Sequence, residues 1–315
     1  MVITVTPNPA IDRTLEVPSF HAGKVLRARL VRIQFAGKGV NVSRCLSCLG
    51  VKSVVTGLVG RESETLYRHS LPPDMTEDAL VPIDGLTRVN VTIRDAATGT
   101  ETHLREHGPA VSDAEWYRLL RAVRSCCADG HVVALCGSLP GAMPPERALD
   151  ILRTAAARGA RIAADCSGHV LRCLLDEPLW LIKPNRYELA ELTSQPVGTI
   201  TQVLTAARAL TKRVHNVLVS LGAEGILLST SQGSWLAQSP VAYVRNTVGP
   251  GDAALAGFLA ATERGEQSEQ SLRWAVACGA ASVQADGAGS LDLDTVHKQY
   301  NLATVQQLNR GECTS

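Results

Sequence analysis

The sequence predicts an α/β protein, with a mostly parallel sheet covered by helices on both faces and a small β element supplied by two insertions. Three observations lead there. From Ser112 onward, strand-like and helix-like patterns alternate. The strand-like runs are close to wholly apolar, as strands buried on both faces must be. Two stretches, roughly 13–35 and 79–108, break this rhythm and favour β structure instead. No low-complexity linker divides the chain and no internal repeat is present, so residues 1–315 read as one domain carrying a small β element.

Residues 2–6 form the first expected strand, followed by a turn at Asn8-Pro9-Ala10-Ile11-Asp12. Pro18 and Gly23 interrupt the segment after it. Ala36-Gly37-Lys38-Gly39-Val40-Asn41 is a glycine-rich turn feeding a helix to about Leu49, with Gly50 as its C′ residue. Lys52–Thr56 is the next strand, and a short helix spans about 62–71, ahead of Pro72-Pro73. Leu80–Ile83 and Val89–Ile93 read as strands of the small β element, with a turn at Ala97-Thr98-Gly99. Ser112-Asp113-Ala114-Glu115 is a capping box opening a helix to about Cys127. Further strands are expected near 131–136, 161–165, 179–183 and 216–221, and helices near 145–158, 186–193 and 199–212. A β pair at 225–229 and 234–237 precedes two helices near 252–264 and 268–284, and a helical tail follows from about 293.

Composition excludes several function classes. Thirty-one basic and 30 acidic residues leave a formal charge of +1, without the basic excess of a nucleic-acid-binding protein. No apolar run reaches the length of a membrane span. The N-terminus lacks a basic leader region and reads as a strand, consistent with a cytoplasmic protein. Nine cysteines include one C-x-x-C, Cys45 and Cys48, inside a helical pattern with no second ligand pair nearby. Buried free thiols account for them better than zinc or redox chemistry.

The chemistry-bearing residues fall at strand ends, where α/β sheets bind ligands. Gly249-Pro250-Gly251-Asp252 stands just ahead of an Ala/Leu-rich helical run. A glycine-rich turn at a helix N-terminus directs backbone N–H groups at one point and suits a phosphate. A carboxylate there would repel an anion unless it has a separate task, such as taking a proton from an attacking hydroxyl. The same pattern also fits a simple helix cap. Asn8 and Asp12, Gly137-Ser138-Leu139-Pro140, Asp165, Lys183-Pro184-Asn185 and Ser220–Gly225 occupy the ends of other strands.

Seven motifs in order, from Thr6–Asp12 through Ala36–Val42, Thr87–Val91, Gly137–Pro140, Lys183–Leu189 and Val219–Gly225 to Thr247–Phe258, resemble those of the ribokinase-like, or PfkB, carbohydrate kinases. Within that family the sugar-phosphate kinases are most similar. The resemblance implies a three-layer α/β/α sandwich with a β lid, ATP and Mg²⁺ as cofactors, and a homodimer formed through the lid. It implies that Asp252 is the general base, with Gly249 and Gly251 forming the anion hole. Asp12, Gly37, Gly39, Asn41, Asn90 and Ser138 would meet the sugar, the two glycines by letting the backbone come close to it. Lys24, Lys38 and Arg88 would supply positive charge for the phosphate already on the substrate. Lys183, Ser220, Gly222, Gly225 and Gly289 would line the nucleotide site, with Gly289 beside the adenine. Asn185 and Glu188 would hold magnesium through water. Fructose 1-phosphate is the expected substrate, with tagatose 6-phosphate and fructose 6-phosphate as alternatives. A sugar-phosphate-binding protein with little kinase activity is the alternative of another class.

The sequence departs from the family pattern at Pro250, where the usual G-A-G-D motif has an alanine. Proline has no N–H, so one anion-hole donor is missing. Ala253 replaces a small hydroxyl residue often found after the base, and Arg61 follows Gly60 where an acidic residue is common.

Overall fold

The computed structural model describes residues 1–141 and 143–308. Its centre is a ten-stranded sheet in the order β14-β13-β12-β11-β10-β9-β8-β1-β4-β5. These strands are β1 (Val2–Thr6), β4 (Ser53–Gly60), β5 (Thr76–Ile83), β8 (Val132–Cys136), β9 (Arg161–Asp165), β10 (Leu179–Ile182), β11 (Val214–Ser220), β12 (Ile226–Thr230), β13 (Ser234–Gln238) and β14 (Thr304–Gln307). From β11 to β5 every pairing is parallel, and β12 to β14 close one edge antiparallel. Every residue of β1, β4 and β8 is buried, because helices cover both faces.

One face carries α3 (Asp113–Cys126), α4 (Arg147–Ala156), α5 (Gly168–Leu174), α6 (Arg186–Thr193) and α7 (Ile200–Leu210). Trp116, Leu119, Ile151, Leu152, Leu171, Leu189 and Val203 build the core on this side. The other face carries α1 (Lys38–Cys48), α8 (Pro250–Glu263), α9 (Ser268–Gln284) and α10 (Leu293–Leu302). The run Asp252–Ala261 is buried throughout, since α8 lies between α1, α9 and the sheet. Its small residues permit this. At Gly257 a Cβ would stand 2.5 Å from the Trp274 carbonyl oxygen. A third cluster gathers Val40, Val55, Val59, Tyr67, Leu71 and Leu80 beside the short α2 (Glu64–His69).

A separate four-stranded sheet, ordered β3-β2-β6-β7, is formed by β2 (Ala10–Val17), β3 (Arg29–Ala36), β6 (Arg88–Asp95) and β7 (Glu101–Leu104). Its parallel β2–β6 pairing sets Asp12 opposite Asn90 and Ala10 opposite Arg88.

Most elements match the sequence expectations, with four corrections. The turn expected at 8–12 stops at Pro9, because β2 starts at Ala10 and holds Asp12 by pairing with β3 and β6. The segment from 79 to 83 belongs to β5 of the main sheet, so the second lid insertion starts after it; its apolar pattern suits either sheet, and only pairing with β4 decides. The tail is not helical throughout, because Thr304–Gln307 pairs with β13 as an edge strand. Helix α5 was not expected; it is a seven-residue helix without a side-chain cap. Of the nine cysteines, Cys45, Cys127, Cys136, Cys166 and Cys278 are buried free thiols, Cys126 and Cys173 are half-buried and Cys48 is exposed. Cys313 lies outside the described residues.

Candidate active site

The parallel strands end along one edge, and the segments leaving β1, β8, β9 and β10 meet the N-termini of α1 and α8 there. Gly249 is the N-cap of α8 with a φ of 94°, a left-handed conformation that favours glycine. Pro250 is the first helical residue, where its fixed φ suits the helix and its missing N–H would have had no intrahelical partner. The Ala253 N–H donates to the Gly249 carbonyl at 3.0 Å. The Gly251 and Asp252 amides are therefore the first-turn donors left to face an anion.

Asp252 is not the helix cap. It is 6% exposed and accepts a 2.8 Å hydrogen bond from Asn41 Nδ2 on α1. Burial, reinforced by the neighbouring Asp165 carboxylate, pushes its pKa up to about 6, against the opposing pull of Lys38, Asn41 and Lys183. A carboxylate with that value is ionised at neutral pH and basic enough to take a proton.

Asp165, at the end of β9, is the charge centre of the site. It is 1% exposed and accepts from Lys38 Nζ at 3.0 Å, with Lys183 Nζ at 3.4 Å from the same oxygen. Burial alone would raise its pKa, but the two ammonium groups outweigh that and hold it below the ordinary value. Burial likewise disfavours the Lys38 ammonium, yet Asp165 and Asp252 keep it charged. The second Asp165 oxygen, Oδ2, is buried without a hydrogen-bond partner. A Cβ on Gly251 would stand 3.1 Å from Lys183 Nζ, so that ammonium lies over the first turn of α8. Lys38 faces a carboxylate rather than open solvent, which ties it to the centre of the site.

The lid supplies the second half. Asn90 Nδ2 donates to Asp12 Oδ1 at 2.8 Å, and Arg105 Nη1 lies 3.9 Å from the same oxygen. Burial raises the Asp12 pKa, while the Asn90 hydrogen bond and the Arg105, Arg88 and Arg44 charges oppose the rise. Arg88 is held by the Pro9, Glu106 and Asn8 carbonyls at 3.3, 3.1 and 2.9 Å, which fixes its guanidinium at the junction of lid and sheet. Asn8 Nδ2 donates to Ser138 Oγ at 3.1 Å, so Ser138 lies on the same junction. The buried oxygens Asn41 Oδ1 and Asn90 Oδ1 are also without partners. Unpartnered buried acceptors along one crevice favour a ligand rich in donors, such as a polyol. Lys24 stands apart, exposed in the lid between β2 and β3 with no ion pair among the described residues.

Three of the expected site glycines pack closely on neighbouring protein atoms. At Gly37 a Cβ would lie 2.7 Å from Thr6 Cγ2, and at Gly39 2.5 Å from Thr6 Oγ1. The turn presses onto β1 at both positions, which by itself calls for glycine. At Gly289 a Cβ would meet Asn41 at 3.1 Å and Arg44 at 3.4 Å, and Gly289 itself lies next to the Gly249 turn.

Asn185 and Glu188 form a reciprocal capping box at α6, with Asn185 Oδ1 accepting from the Glu188 N–H at 2.9 Å and Glu188 Oε2 from the Asn185 N–H at 2.8 Å. An isolated bridge joins Asn185 to Ser220, and the Ser220 hydroxyl oxygen is buried without a partner. Gly222 and Gly225, with φ of 64° and 101°, complete the turn that follows Ser220. Among the described residues no three His, Cys, Asp or Glu side chains form a metal-holding group. A magnesium ion fits only in the mode it prefers, with water and phosphate as most of its ligands.

Sequence reasoning gives Asp165 only as a strand end without a role, and passes over two further residues that belong here, Arg44 and Arg105. Asp165 was visible as the one carboxylate closing an apolar strand. Arg44 lies three residues after Asn41 on α1, a spacing that puts both on one side; it donates to Ser70 Oγ at 2.9 Å. Arg105, just past β7, carries no sequence signal that separates it from other lid charges.

A small sheet bearing Asp12, Asn90 and Arg88, set over a buried carboxylate, two ammonium groups and a helix N-terminus, has the parts of a phosphoryl-transfer enzyme. The chain matches the pfkB family carbohydrate kinase over residues 5–295. It belongs to that family and is a carbohydrate kinase of ribokinase-like fold. A 1-phosphofructokinase of Vibrio cholerae is 32% identical over 309 residues, covering 96% of this chain and 97% of the relative. A 1-phosphofructokinase of Rhodobacter capsulatus is 35% identical over 278 residues, with 88% of both chains covered. Phosphofructokinase-2 from Escherichia coli, solved in complex with substrates and products, superposes with a TM-score of 0.90 at 25% identity, covering 95% of this chain and 98% of that one. Ribokinase of Arabidopsis thaliana shares the fold, with a TM-score of 0.74 at 24% identity and 95% and 98% coverage.

Proposed function

We propose that this chain transfers the γ-phosphoryl group of ATP to fructose 1-phosphate, forming fructose 1,6-bisphosphate. The observation that carries this reading is Asp252, buried at the first turn of α8, held by Asn41 and pushed to about 6. The names of the Vibrio and Rhodobacter relatives support the sugar phosphate.

In this reading Asp252 accepts the proton of the attacking sugar hydroxyl. The hydroxyl oxygen forms a bond to the γ-phosphorus as the bond to the β–γ bridging oxygen breaks, and that oxygen leaves with ADP. The Gly251 and Asp252 amides, the α8 dipole and Lys183 receive the charge on the transferring group. Lys183 makes up in part for the N–H that Pro250 lacks, which favours a working kinase over a protein that only binds sugar phosphate. Asp12 and Asn90 orient the sugar hydroxyls, and Arg88, Arg44 and Arg105 face its phosphate. Ser220, Gly222 and Gly225 line the nucleotide site. Magnesium would neutralise charge on the nucleotide phosphates when bound. Asn185, Glu188 and the unpartnered Asp165 oxygen would hold it through water.

The lid also supports a homodimer. Leu30, Val31, Ile33 and Leu104 are 47%, 38%, 46% and 55% exposed, an apolar surface large for a small sheet in water. Escherichia coli phosphofructokinase-2 has been solved in a tetrameric inhibited form. No helix among the described residues is long and apolar enough to cross a membrane, and the cytoplasm is the compartment proposed.

A coupled ADP-release assay with Mg-ATP and a panel of fructose 1-phosphate, fructose 6-phosphate and tagatose 6-phosphate tests the substrate. The highest kcat/KM is expected with fructose 1-phosphate. A higher value with either of the others replaces the proposed substrate, and turnover of none with sugar-phosphate binding intact removes the kinase reading.

A further inference from the structure

Helix α3 carries Arg118, Arg121 and Arg124 at three-residue spacing, which sets them along one stripe. Arg158 lies just beyond the end of α4, which packs against α3. These four arginines, with Ala122 and Ser125, border an open groove of about 680 Å³. A second recess of about 340 Å³ adjoins it, sharing Arg121, Arg124 and Arg158 and adding Tyr117, Leu120, Thr154 and Ala157.

Unpaired charge is concentrated here, whereas other exposed arginines without an ion pair among the described residues, such as Arg13, Arg27 and Arg172, are not gathered on one groove. The chain has 31 basic and 30 acidic residues, and exposed arginines such as Arg29, Arg61, Arg153 and Arg213 pair with carboxylates. In the groove only Arg118 has such a partner, Glu115 at 3.8 Å. Arg121, Arg124 and Arg158 have no ion pair among the described residues. One cation near a helix C-terminus complements the helix dipole. Arg158 does this, its Nε donating to the Cys127 carbonyl at 3.3 Å. That role does not account for the others, whose mutual repulsion a bound anion would relieve.

The groove is separate from the candidate active site. Helix α3 runs into the amino end of β8 and α4 into the amino end of β9, whereas the candidate site is at the carboxyl ends. Both helices also lie on the opposite face of the sheet from α1 and α8.

We propose that this groove binds a nucleoside di- or triphosphate. Guanidinium forks match phosphate oxygens in pairs, and several in a row match a chain of two or three phosphates. The adjoining recess offers Tyr117, 62% exposed, beside Leu120 and Ala157, a surface on which a planar base can stack. An anion without a ring would leave that half of the groove unused.

Binding stoichiometry tests the assignment on the full chain. Equilibrium dialysis with ATP is expected to show one equivalent fewer for Arg121→Glu/Arg124→Glu than for the unmodified protein, with phosphoryl-transfer turnover unchanged. This readout holds whether or not the other site takes ATP. Equal stoichiometry in the two proteins overturns the proposal. Arg121→Gln/Arg124→Gln repeats the comparison with smaller electrostatic change should the first variant melt early. Tyr117→Ala is expected to weaken the same equivalent at least about fivefold while leaving inorganic tripolyphosphate binding unaltered. Tripolyphosphate displacing the ligand as well as ATP does, with no effect of Tyr117→Ala, overturns the nucleotide assignment.

Discussion

Replacing Asp252 by Asn should stop catalysis and stabilise the protein at once. The carboxyl group pays for its position: burial and the Asp165 charge raise its pKa from an ordinary 3.8 to about 6. A raised carboxylate pKa means that the folded state holds the proton more tightly than the unfolded chain. Stability from this group is therefore full below about 4, falls as pH rises toward 6, and stays low above it. At about 1.4 kcal/mol per pH unit the loss is about 3 kcal/mol at pH 8. Asparagine carries no charge and can still accept from Asn41 Nδ2, so the variant escapes the loss. Urea denaturation followed across pH should show Asp252→Asn more stable by up to about 3 kcal/mol at pH 8 and nearly equal to the parent at pH 4. In the coupled assay its kcat should fall by about 10²- to 10⁴-fold, the usual contribution of a general base, while ATP binding changes little. The unmodified enzyme should gain kcat/KM with pH through a midpoint near 6, as Asp252 ionises. A variant with normal kcat, or one no more stable than its parent at pH 8, would refute the reasoning.

Two further substitutions probe the same neighbourhood. Pro250→Ala restores an N–H at the first position of α8, and kcat should rise by about three- to tenfold, less than a full oxyanion donor because the Lys183 ammonium already lies over that turn; an unchanged or lower kcat would show that the missing donor faces no developing charge. Gly57→Ala would drive a Cβ into the Thr6 carbonyl oxygen where β4 pairs with β1, so a thermal melt should show a loss of about 3 kcal/mol, and a melt like the parent's would contradict the close approach of these two strands.

The sheet was legible because its strands are covered on both faces, and that condition writes continuous apolar runs such as Val132–Cys136 into the chain. The capping box at Ser112 was legible because both partners are three residues apart. Asn185 and Glu188 have the same spacing and form the same box, which shows how one local pattern serves a helix start and a proposed metal site together. Strand β14 was not legible: Thr304-Val305-Gln306-Gln307 has one apolar residue, and its only reason to be extended is the edge of β13. Leu80–Ile83 was legible as β but not as part of the main sheet, since a strand's own residues do not name its neighbour.

For the site, the sequence by itself determined the chemical inventory and its placement at strand ends. Glycine turns, Asp252 at a helix start, Asp12 after the first strand and Lys183 before α6 all follow from local patterns. Tertiary structure alone decided which of these act on one another. Asn41 reaches Asp252 across 211 residues, Lys38 reaches Asp165 across 127, and Asn90 reaches Asp12 across 78. Burial beside Asp165 raises the Asp252 pKa to about 6 against the pull of Lys38 and Asn41, and Asp165 and Asp252 keep Lys38 charged, because burial and the field of neighbouring charges depend on distance in space and not on position along the chain.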